Sequence, residues 1–351
     1  MLHYKIIAGS SANIPGIPND SIHFAVTSPP YLDVKAYDRD NPENIGNYKL
    51  EKQLDMLKPV YSEIFRILQP GRKFVVNVPD MISISPIDGK ICHIPVHYET
   101  IKLLNEIGFV WESPYTWNKM HSRSAASSGS FPYPVGVVLV HDFEAIAVMR
   151  KPGEVDYSHI SKEEREASKM SSEFMRDAMY NSINMMGETQ VDFHIAAYPV
   201  ELVDRFIRLY SYVGETVYDP FLGSGTTMIS AKKLARSGIG CEIGFKTPDG
   251  IPWIEHVKKR VGWNDGSVVG EQVLYEIINP QGEVIDSSVV AGRGKLNAKE
   301  LLEAQLGGET LFNYKGDGPE VNIDVEPAIK EEPKERKKKE PEVDDRQGRL
   351  F

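Results

Sequence analysis

Short β-branched or aromatic runs alternate with amphipathic segments from residue 4 to about residue 262. Helices that bury one apolar stripe and strands that alternate with them pack best as a mostly parallel sheet covered by helices. The rhythm predicts strands at residues 22–26, 73–78, 109–117, 144–149, 216–218 and 238–242, and helices at residues 54–68, 99–107, 200–209, 226–235 and 253–261. The sequence therefore predicts an α/β fold with a doubly wound sheet.

Changes in composition divide the chain further. Residues 1–262 carry the alternating pattern, except that a polar stretch at residues 153–190 interrupts it and reads as an inserted recognition element. Residues 263–318 hold VLYEIINPQGEVID, two strands around a turn, and NAKELLEAQL, a short helix, which together predict a small α+β accessory module. Residues 319–351 mix charges with prolines and lack a core-forming pattern, so we expect a disordered tail.

Charge and cysteine content exclude several classes of protein. The 40 Lys and Arg against 50 Asp and Glu give a net charge of −10, so the chain does not coat nucleic acid non-specifically, and any nucleic-acid site must be local. Cys92 and Cys241 are too few and too far apart for a disulfide framework or a zinc site, and no metal is predicted. Without a signal peptide or an apolar run of about 18 residues, we expect a cytoplasmic protein with no membrane contact.

The segment TVYDPFLGSGTT at residues 216–227 is a strand, a sharp glycine turn and a helix start. Gly223 and Gly225 let the backbone approach a ligand, and the first amides of the helix would face an anionic group such as a carboxylate. Thr226 stands where a phosphate-binding loop needs lysine. The next strand ends at Glu242, the place where nucleoside cofactors have their ribose hydroxyls held. A purely structural turn with a solvated Glu242 is the alternative.

The segment Ser28-Pro29-Pro30-Tyr31 follows the first of these apolar strands. Its side chains should stand at the carboxyl edge of the sheet, where open α/β sheets place their ligands. Two prolines make the turn rigid, so the Ser28 hydroxyl and the Pro29 carbonyl are fixed acceptors and the Tyr31 ring is a flat surface. This arrangement suits the exocyclic amine of a base.

With these motifs the chain resembles the DNA amino methyltransferases, which use S-adenosylmethionine to methylate cytosine N4 or adenine N6. The resemblance covers roughly residues 4–261 and rests on TSPPY, on DPFLGSGTT, on GIGCEI and on HIAAYPVELVDRFI. It implies a Rossmann-like, class I methyltransferase fold and a set of cofactor contacts. These contacts are Tyr198, Pro199, Asp219, Phe221, Gly223, Ser224, Gly225, Thr226, Thr227 and Glu242.

The motif order resembles the circularly permuted beta group of this family, because Ser28 precedes Asp219 by about 190 residues. In that group target recognition lies between the two halves, which here implies residues 153–190. One departure is Ser10, in Ile7-Ala8-Gly9-Ser10, where the family usually has aspartate.

The resemblance also implies a mechanism. The target base flips out of duplex DNA, stacks on Tyr31 and is held through its amino group by Ser28 and Pro29, and methyl transfer is direct and in line. Serine in the first position usually accompanies cytosine N4, and adenine N6 is the alternative. No cysteine has the setting that a C5-cytosine enzyme needs. A non-catalytic DNA-binding module that keeps the cofactor fold, and an RNA or protein-glutamine methyltransferase, are further alternatives.

Two further segments are predicted to bind partners. The loop at residues 121–130 is small and polar with basic groups, and we expect His121, Arg123, Ser127 and Ser128 to contact the DNA backbone. At the end of the charged tail, Gln347, Leu350 and Phe351 resemble short peptides that dock on sliding clamps.

Overall fold

A computed structural model of the chain describes residues 1–32, 40–84, 87, 89, 91–119, 133–136, 142–187, 198–244, 247, 249–266, 268 and 270–294. All of these residues belong to one compact unit, Met1–Glu309, and a second unit comprises Thr310–Phe351. The segment with His121 and Arg123, the helix predicted in NAKELLEAQL, and the charged tail with its predicted clamp-binding residues lie outside the described residues. None of the described helices has the length and apolar character needed to cross a membrane.

The described strands and helices follow the predicted alternation. The strands are β1 (Leu2–Ala8), β2 (Ile22–Thr27), β3 (Leu68–Val78), β4 (Met81–Ile84), β5 (Ile91–Ile94), β6 (Val110–Asn118), β7 (Phe143–Arg150), β8 (Ser182–Asn184), β9 (Thr216–Asp219), β10 (Ser237–Glu242), β11 (Gly270–Ile278) and β12 (Val284–Gly294). The helices are α1 (Leu50–Ile67), α2 (Val96–Ile107), α3 (Lys162–Ala167), α4 (Ser172–Ala178), α5 (Val200–Tyr210), α6 (Thr226–Lys233) and α7 (Trp253–Val261).

Ten of these strands form one sheet in the order β12-β11-β1-β10-β9-β2-β3-β7-β6-β8. The six strands from β11 to β3 run parallel to one another. Strand β7 is antiparallel to both β3 and β6, and β12 is antiparallel to β11. The prediction of a mostly parallel α/β sheet is confirmed, with antiparallel strands near its two ends.

Apolar side chains fill both faces of the sheet. On one face, Leu57 and Ile64 of α1 pack in a buried cluster with Ala25 of β2 and Phe74 of β3. On the other face, Tyr4 of β1 packs in a second cluster with residues of α6 and α7. The sheet is therefore doubly wound, as the alternating pattern required.

Strands β9 and β2 are neighbours, with Phe24 opposite Val217 and Ala25 opposite Tyr218. The chain leaves β9 through α6 on one face and leaves β2 through α1 on the other face. This divergence is a topological switch point, and it opens a crevice at the carboxyl ends of the two strands. Both sequence motifs with glycine or proline turns, at residues 28–31 and 219–227, follow these two strands.

Helix α1 and strand β3 differ from the predicted boundaries. The helical pattern predicts a stop at Pro70-Gly71, whereas α1 ends at Ile67 and β3 begins at Leu68. The cause is strand pairing, because Leu68 is already extended and lies opposite Ile22 of β2. The other predicted strands and helices agree within a few residues. The short strands β4, β5 and β8 were not predicted, since they have three or four residues each.

The predicted hairpin after residue 262 forms as β11 and β12. Its turn is closed by hydrogen bonds from Gly282 N to Asn279 O and from Asn279 N to Glu283 O. Strand β11 pairs in parallel with β1, and the Tyr275 ring lies 5.4 Å from the Tyr4 ring. The described part of the accessory segment therefore extends the central sheet. A domain boundary at residue 262 stays a prediction.

The described part of the predicted insert runs from the amino ends of the strands to their carboxyl ends. Ser168 Oγ accepts a hydrogen bond from Val213 N, just before β9 begins, so the first part lies at the amino ends of the strands. Ser161 and Glu164 form a capping box that starts α3 there. The last part reaches the carboxyl edge, because β8 pairs with the end of β6 and Met185 N donates to Asn118 O.

Candidate active site

The turn at residues 28–31 is held rigidly at the end of β2. Pro29 is buried, and Gln53 Nε2 on α1 donates a 2.7 Å hydrogen bond to the Pro30 carbonyl. Ser28 and Tyr31 are half-buried, and the Ser28 hydroxyl lies 3.0 Å from the Tyr31 hydroxyl. The structure therefore places these two side chains side by side at the crevice.

Asp219 joins this turn to the glycine turn. Its Oδ1 accepts hydrogen bonds from Thr27 Oγ1 at 2.7 Å and from Phe221 N at 3.0 Å. Its Oδ2 accepts from Thr227 Oγ1 at 2.6 Å and from Tyr198 Oη at 3.0 Å. Burial raises the pKa of the Asp219 carboxyl, and these hydrogen bonds oppose the rise. Asp219 thus fixes the ends of β2 and β9 relative to each other.

The glycine turn gives α6 an open amino terminus. Gly225 caps the helix in a left-handed conformation with φ of 94°, and the cap has no side-chain hydrogen bond. Amides at such a helix start are suited to an anionic ligand group. Ser224 and Thr226 are buried beside the turn, and Arg260 of α7 donates to both side chains at 2.9 and 3.0 Å. The cationic guanidinium adds positive charge close to this helix start.

Glu242 ends β10 beside the same turn. Its carboxylate accepts hydrogen bonds from Gly223 N at 2.8 Å and from Gly244 N at 3.0 Å. Burial raises the pKa of the Glu242 carboxyl, while the two backbone hydrogen bonds act in the opposite direction. The structure brings the predicted acid and the glycine turn together, with Glu242 half-buried and hydrogen-bonded to the backbone of the turn.

Tyr198 and Pro199 precede α5 and reach the same place. The Tyr198 hydroxyl lies 2.6 Å from Thr227 Oγ1, and burial raises the pKa of this phenol well above its usual value. Pro199 is buried and occupies the amino-cap position of α5. All ten predicted cofactor contacts are therefore grouped around the carboxyl ends of β9 and β10.

Three polar side chains at the site were missed in the sequence. Asn77 of β3 donates to Glu144 of β7, and Glu144 also accepts from Tyr31 Oη at 2.9 Å and pairs with Lys119. Asn77 is 5% exposed and Glu144 is 3% exposed. The available signal was a polar residue in an apolar strand, since Asn77 interrupts the run KFVVNV. Their meeting depends on the order of strands in the sheet.

The site fits S-adenosylmethionine by the chemistry of its groups. An acid at the end of β10 is suited to the ribose hydroxyls, and the uncapped start of α6 is suited to the carboxylate of the methionine part. The buried Asn77 Oδ1, on the side chain beside Ser28, has no hydrogen-bond partner among the described residues. The predicted DNA contacts His121, Arg123, Ser127 and Ser128 lie outside those residues.

Comparison with known proteins identifies relatives of this chain among DNA methylases. The family model for DNA methylases of the N6/N4 type matches residues 22–247. Type II methyltransferase M.MjaI of Methanocaldococcus jannaschii is 31% identical over 69% of this chain and 87% of its own length. M.MthZI of Methanothermobacter thermautotrophicus is 30% identical over 70% of this chain and 74% of its own length. The structure of TTHA0409 from Thermus thermophilus, complexed with S-adenosyl-L-methionine, is 27% identical, with a TM-score of 0.58 over 79% of this chain and 98% of that chain.

The fold and these comparisons together define an α/β methyltransferase that uses S-adenosylmethionine. The chain belongs to the N6/N4 DNA methylase family, since the family model covers well over half of it. It is an S-adenosylmethionine-dependent DNA methyltransferase, so its methyl acceptor is an amino group on a DNA base.

Proposed function

We propose that this enzyme methylates the exocyclic N4 of cytosine in duplex DNA. The observation that carries the proposal is the junction of the two turns. Ser28 follows Thr27, whose hydroxyl bonds Asp219 of the glycine turn at 2.7 Å. An acceptor for the target amine therefore lies next to the residues suited to the methyl donor. The serine in TSPPY favours cytosine N4 over adenine N6, which is the second candidate.

We assign the cofactor to the crevice at β9 and β10. Glu242 would hold the ribose hydroxyls, and the amides around Gly223, Ser224 and Gly225 would hold the carboxylate end. The pocket wall around these groups is formed by six further residues, which are Thr226, Thr227, Tyr198, Pro199, Asp219 and Phe221. S-adenosylmethionine supplies an electrophilic methyl group on a sulfonium centre.

Residues of the turn at 28–31 position the base. The flipped cytosine stacks on the Tyr31 ring, and its amino group donates to Ser28 Oγ and to the Pro29 carbonyl, while Pro30 keeps the turn rigid. Two acceptors aligned on the amine hold its lone pair toward the methyl group, which makes direct in-line transfer effective. No covalent intermediate with the protein is required.

Recognition of DNA is assigned to segments around the crevice. The motif order supports the beta group, with recognition in the insert at residues 153–190. Within the predicted insert, residues 182–187 reach the carboxyl edge, where β6 also ends, and His121 and Arg123 follow β6 in the sequence. We extend to this chain the role of Type II methyltransferases, modification in a restriction-modification system.

The test is nucleoside mass spectrometry of DNA from a methylation-deficient host that expresses the chain. We expect N4-methylcytosine with the intact protein and a loss on the order of 10²–10⁴-fold with Ser28→Ala, because the amine loses an aligned acceptor. Ser62→Ala is the matched control, since Ser62 lies on the exposed side of α1 and its hydroxyl bonds only within that helix. N6-methyladenine in place of N4-methylcytosine would move the assignment to adenine.

A further inference from the structure

A chain of hydrogen bonds runs from the predicted acceptor Ser28 into the sheet. Ser28 Oγ lies 3.0 Å from Tyr31 Oη, and Tyr31 Oη lies 2.9 Å from Glu144 Oε2. The other oxygen, Glu144 Oε1, pairs with the Lys119 ammonium. The Asn77 amide lies within 3.5 Å of all three oxygens of the chain. Four strands, β2, β3, β6 and β7, contribute to this chain.

The direction of donation in this chain is fixed by Glu144. A carboxylate paired with a lysine only accepts hydrogen bonds, so the single phenolic proton of Tyr31 points to Glu144. Tyr31 Oη then has only lone pairs for Ser28, and Ser28 must donate its hydroxyl proton to Tyr31. Asn77 Nδ2 lies 3.5 Å from Ser28 Oγ and can use one of its two lone pairs, which leaves the other to accept from a ligand.

We propose that Glu144 is a positioning residue that orients Ser28 through Tyr31 and receives the proton released by the target amine. The inference rests on the proposed function, in which Ser28 accepts from that amine. Without Glu144 the Tyr31 proton could turn to Ser28, and Ser28 would then present a donor to an amine that is itself a donor. Orientation of this kind is electrostatic preorganisation of the acceptor.

The proton follows the same path. As the nitrogen–carbon bond forms, the sulfur–carbon bond breaks and its electron pair stays on sulfur. The amine is then cationic and transfers one proton to Ser28 Oγ, while the Ser28 proton moves to Tyr31 and the Tyr31 proton moves to Glu144 Oε2. The products are the methylated amine, neutral thioether and protonated Glu144, with Ser28 and Tyr31 restored.

Glu144→Gln tests the orientation with little change in side-chain volume. Because Lys119 demands an acceptor, the glutamine carbonyl should face Lys119 and its amide nitrogen should face Tyr31. That amide donates to Tyr31 and so reverses the direction of the hydrogen bonds between Glu144, Tyr31 and Ser28. We expect kcat to fall on the order of 10²–10³-fold. Equilibrium binding of S-adenosylmethionine should change by less than about threefold, because this side chain is not at the cofactor crevice.

Tyr31→Phe removes only the hydroxyl. It is the alternative test of the orientation if circular dichroism shows that Glu144→Gln is unfolded. We expect a similar loss of kcat, and we expect Tyr31→Phe/Glu144→Gln to be no slower than the slower single variant. In Lys119→Met/Glu144→Gln the glutamine can turn its carbonyl to Tyr31, so part of the kcat lost in Glu144→Gln should return. Glu112→Gln is the matched control, since Glu112 is a surface acid of β6 that pairs with Lys73.

All rates are measured on the purified full-length chain with unmethylated duplex DNA, and the methylated base is identified separately. A kcat for Glu144→Gln or Tyr31→Phe within about fivefold of the wild type would overturn the inference, as would losses that multiply in the double variant. If the product is N6-methyladenine and its rate depends on Glu144, the choice of cytosine would be overturned, but the proposed role of Glu144 in the hydrogen-bond chain would be supported. A wild-type enzyme that transfers no methyl group to DNA would overturn both.

Discussion

Buried polar side chains have two different roles in this enzyme, at the crevice and at the amino ends of the strands. Asp219 accepts two hydrogen bonds on each carboxylate oxygen, so it organises β2, β9 and α6 around the crevice. At the amino ends of the strands, the Glu215 carboxylate accepts hydrogen bonds from both terminal nitrogens of Arg72, from Tyr212 N and from His159. These donors occupy the acceptor positions of the Glu215 carboxylate. We therefore assign a structural role to the cluster around Glu215, which also lies near His23.

His23 belongs to this group and must stay neutral to keep its place. Its Nδ1 accepts a 3.1 Å hydrogen bond from Thr216 N at the start of β9. Burial lowers the pKa of His23 to about 4, with Arg72 and His159 adding to the effect and Glu215 opposing it. In the unfolded chain the pKa is near 6.5, so between pH 6.5 and 4 the unfolded state binds more protons than the folded state.

We therefore expect His23 to make the free energy of unfolding decrease as the pH falls from about 6.5 to 4, by about 1–3 kcal/mol. His23→Gln, which keeps an acceptor but does not titrate, should flatten the dependence in that window. His256→Gln is the control, since His256 pairs with Asp249 at the surface. Urea unfolding at several pH values measures the effect, and equal slopes for the wild type and His23→Gln would contradict it.

At the scale of elements, the glycine turn serves helix packing as well as ligand approach. The sequence pattern predicts that Gly225 lets the backbone approach a cofactor closely. The structure shows that a Cβ at Gly225 would lie 2.5 Å from Val261 Cγ1 of α7, and φ is +94°. Val261 lies more than 30 residues further along the chain than Gly225, so no local pattern could reveal this contact. The pairing of α6 with α7 fixes where the helix amides point.

Gly225→Ala should lower the free energy of unfolding by about 1–3 kcal/mol, because it adds strain and a clash with α7. Moving the start of α6 should also weaken S-adenosylmethionine binding by about tenfold or more. Gly250→Ala is the matched control, since its φ of +73° is equally unusual but no atom of the described residues lies within 4 Å of an added Cβ. Calorimetric titration and thermal unfolding report the two effects, and equal affinities for the two variants would refute the argument.

At the scale of the whole molecule, the β11–β12 hairpin shares a core with the cofactor half. Tyr275 is fully buried between Tyr4 of β1 and Trp263, with ring centroids 5.4 and 4.9 Å apart. Val273 and Ile277 of β11 lie in the same apolar cluster as Met228 of α6. The hairpin should therefore unfold together with the cofactor site.

Tyr275→Ala should lower the free energy of unfolding by about 3–5 kcal/mol, the cost of removing a large buried ring. Unfolding followed by circular dichroism and by loss of S-adenosylmethionine binding should give coincident transitions. Val289→Ala on β12 is the control, because Val289 is 58% exposed. If Tyr275→Ala lost only the hairpin signal while cofactor binding kept its original midpoint, residues 263–294 would be a separate folding unit.

The sequence by itself determined the fold class and the two turns. Strand and helix periodicity is local, and a Ser-Pro-Pro-Tyr turn or a glycine turn between a strand and a helix carries its geometry in adjacent residues. The tertiary structure alone decided which strands are neighbours. Asn77, Lys119 and Glu144 meet Tyr31 because β7 runs antiparallel between β3 and β6. Strand order comes from the packing of the whole chain, so the partners of Ser28 could not be predicted from the residues around it.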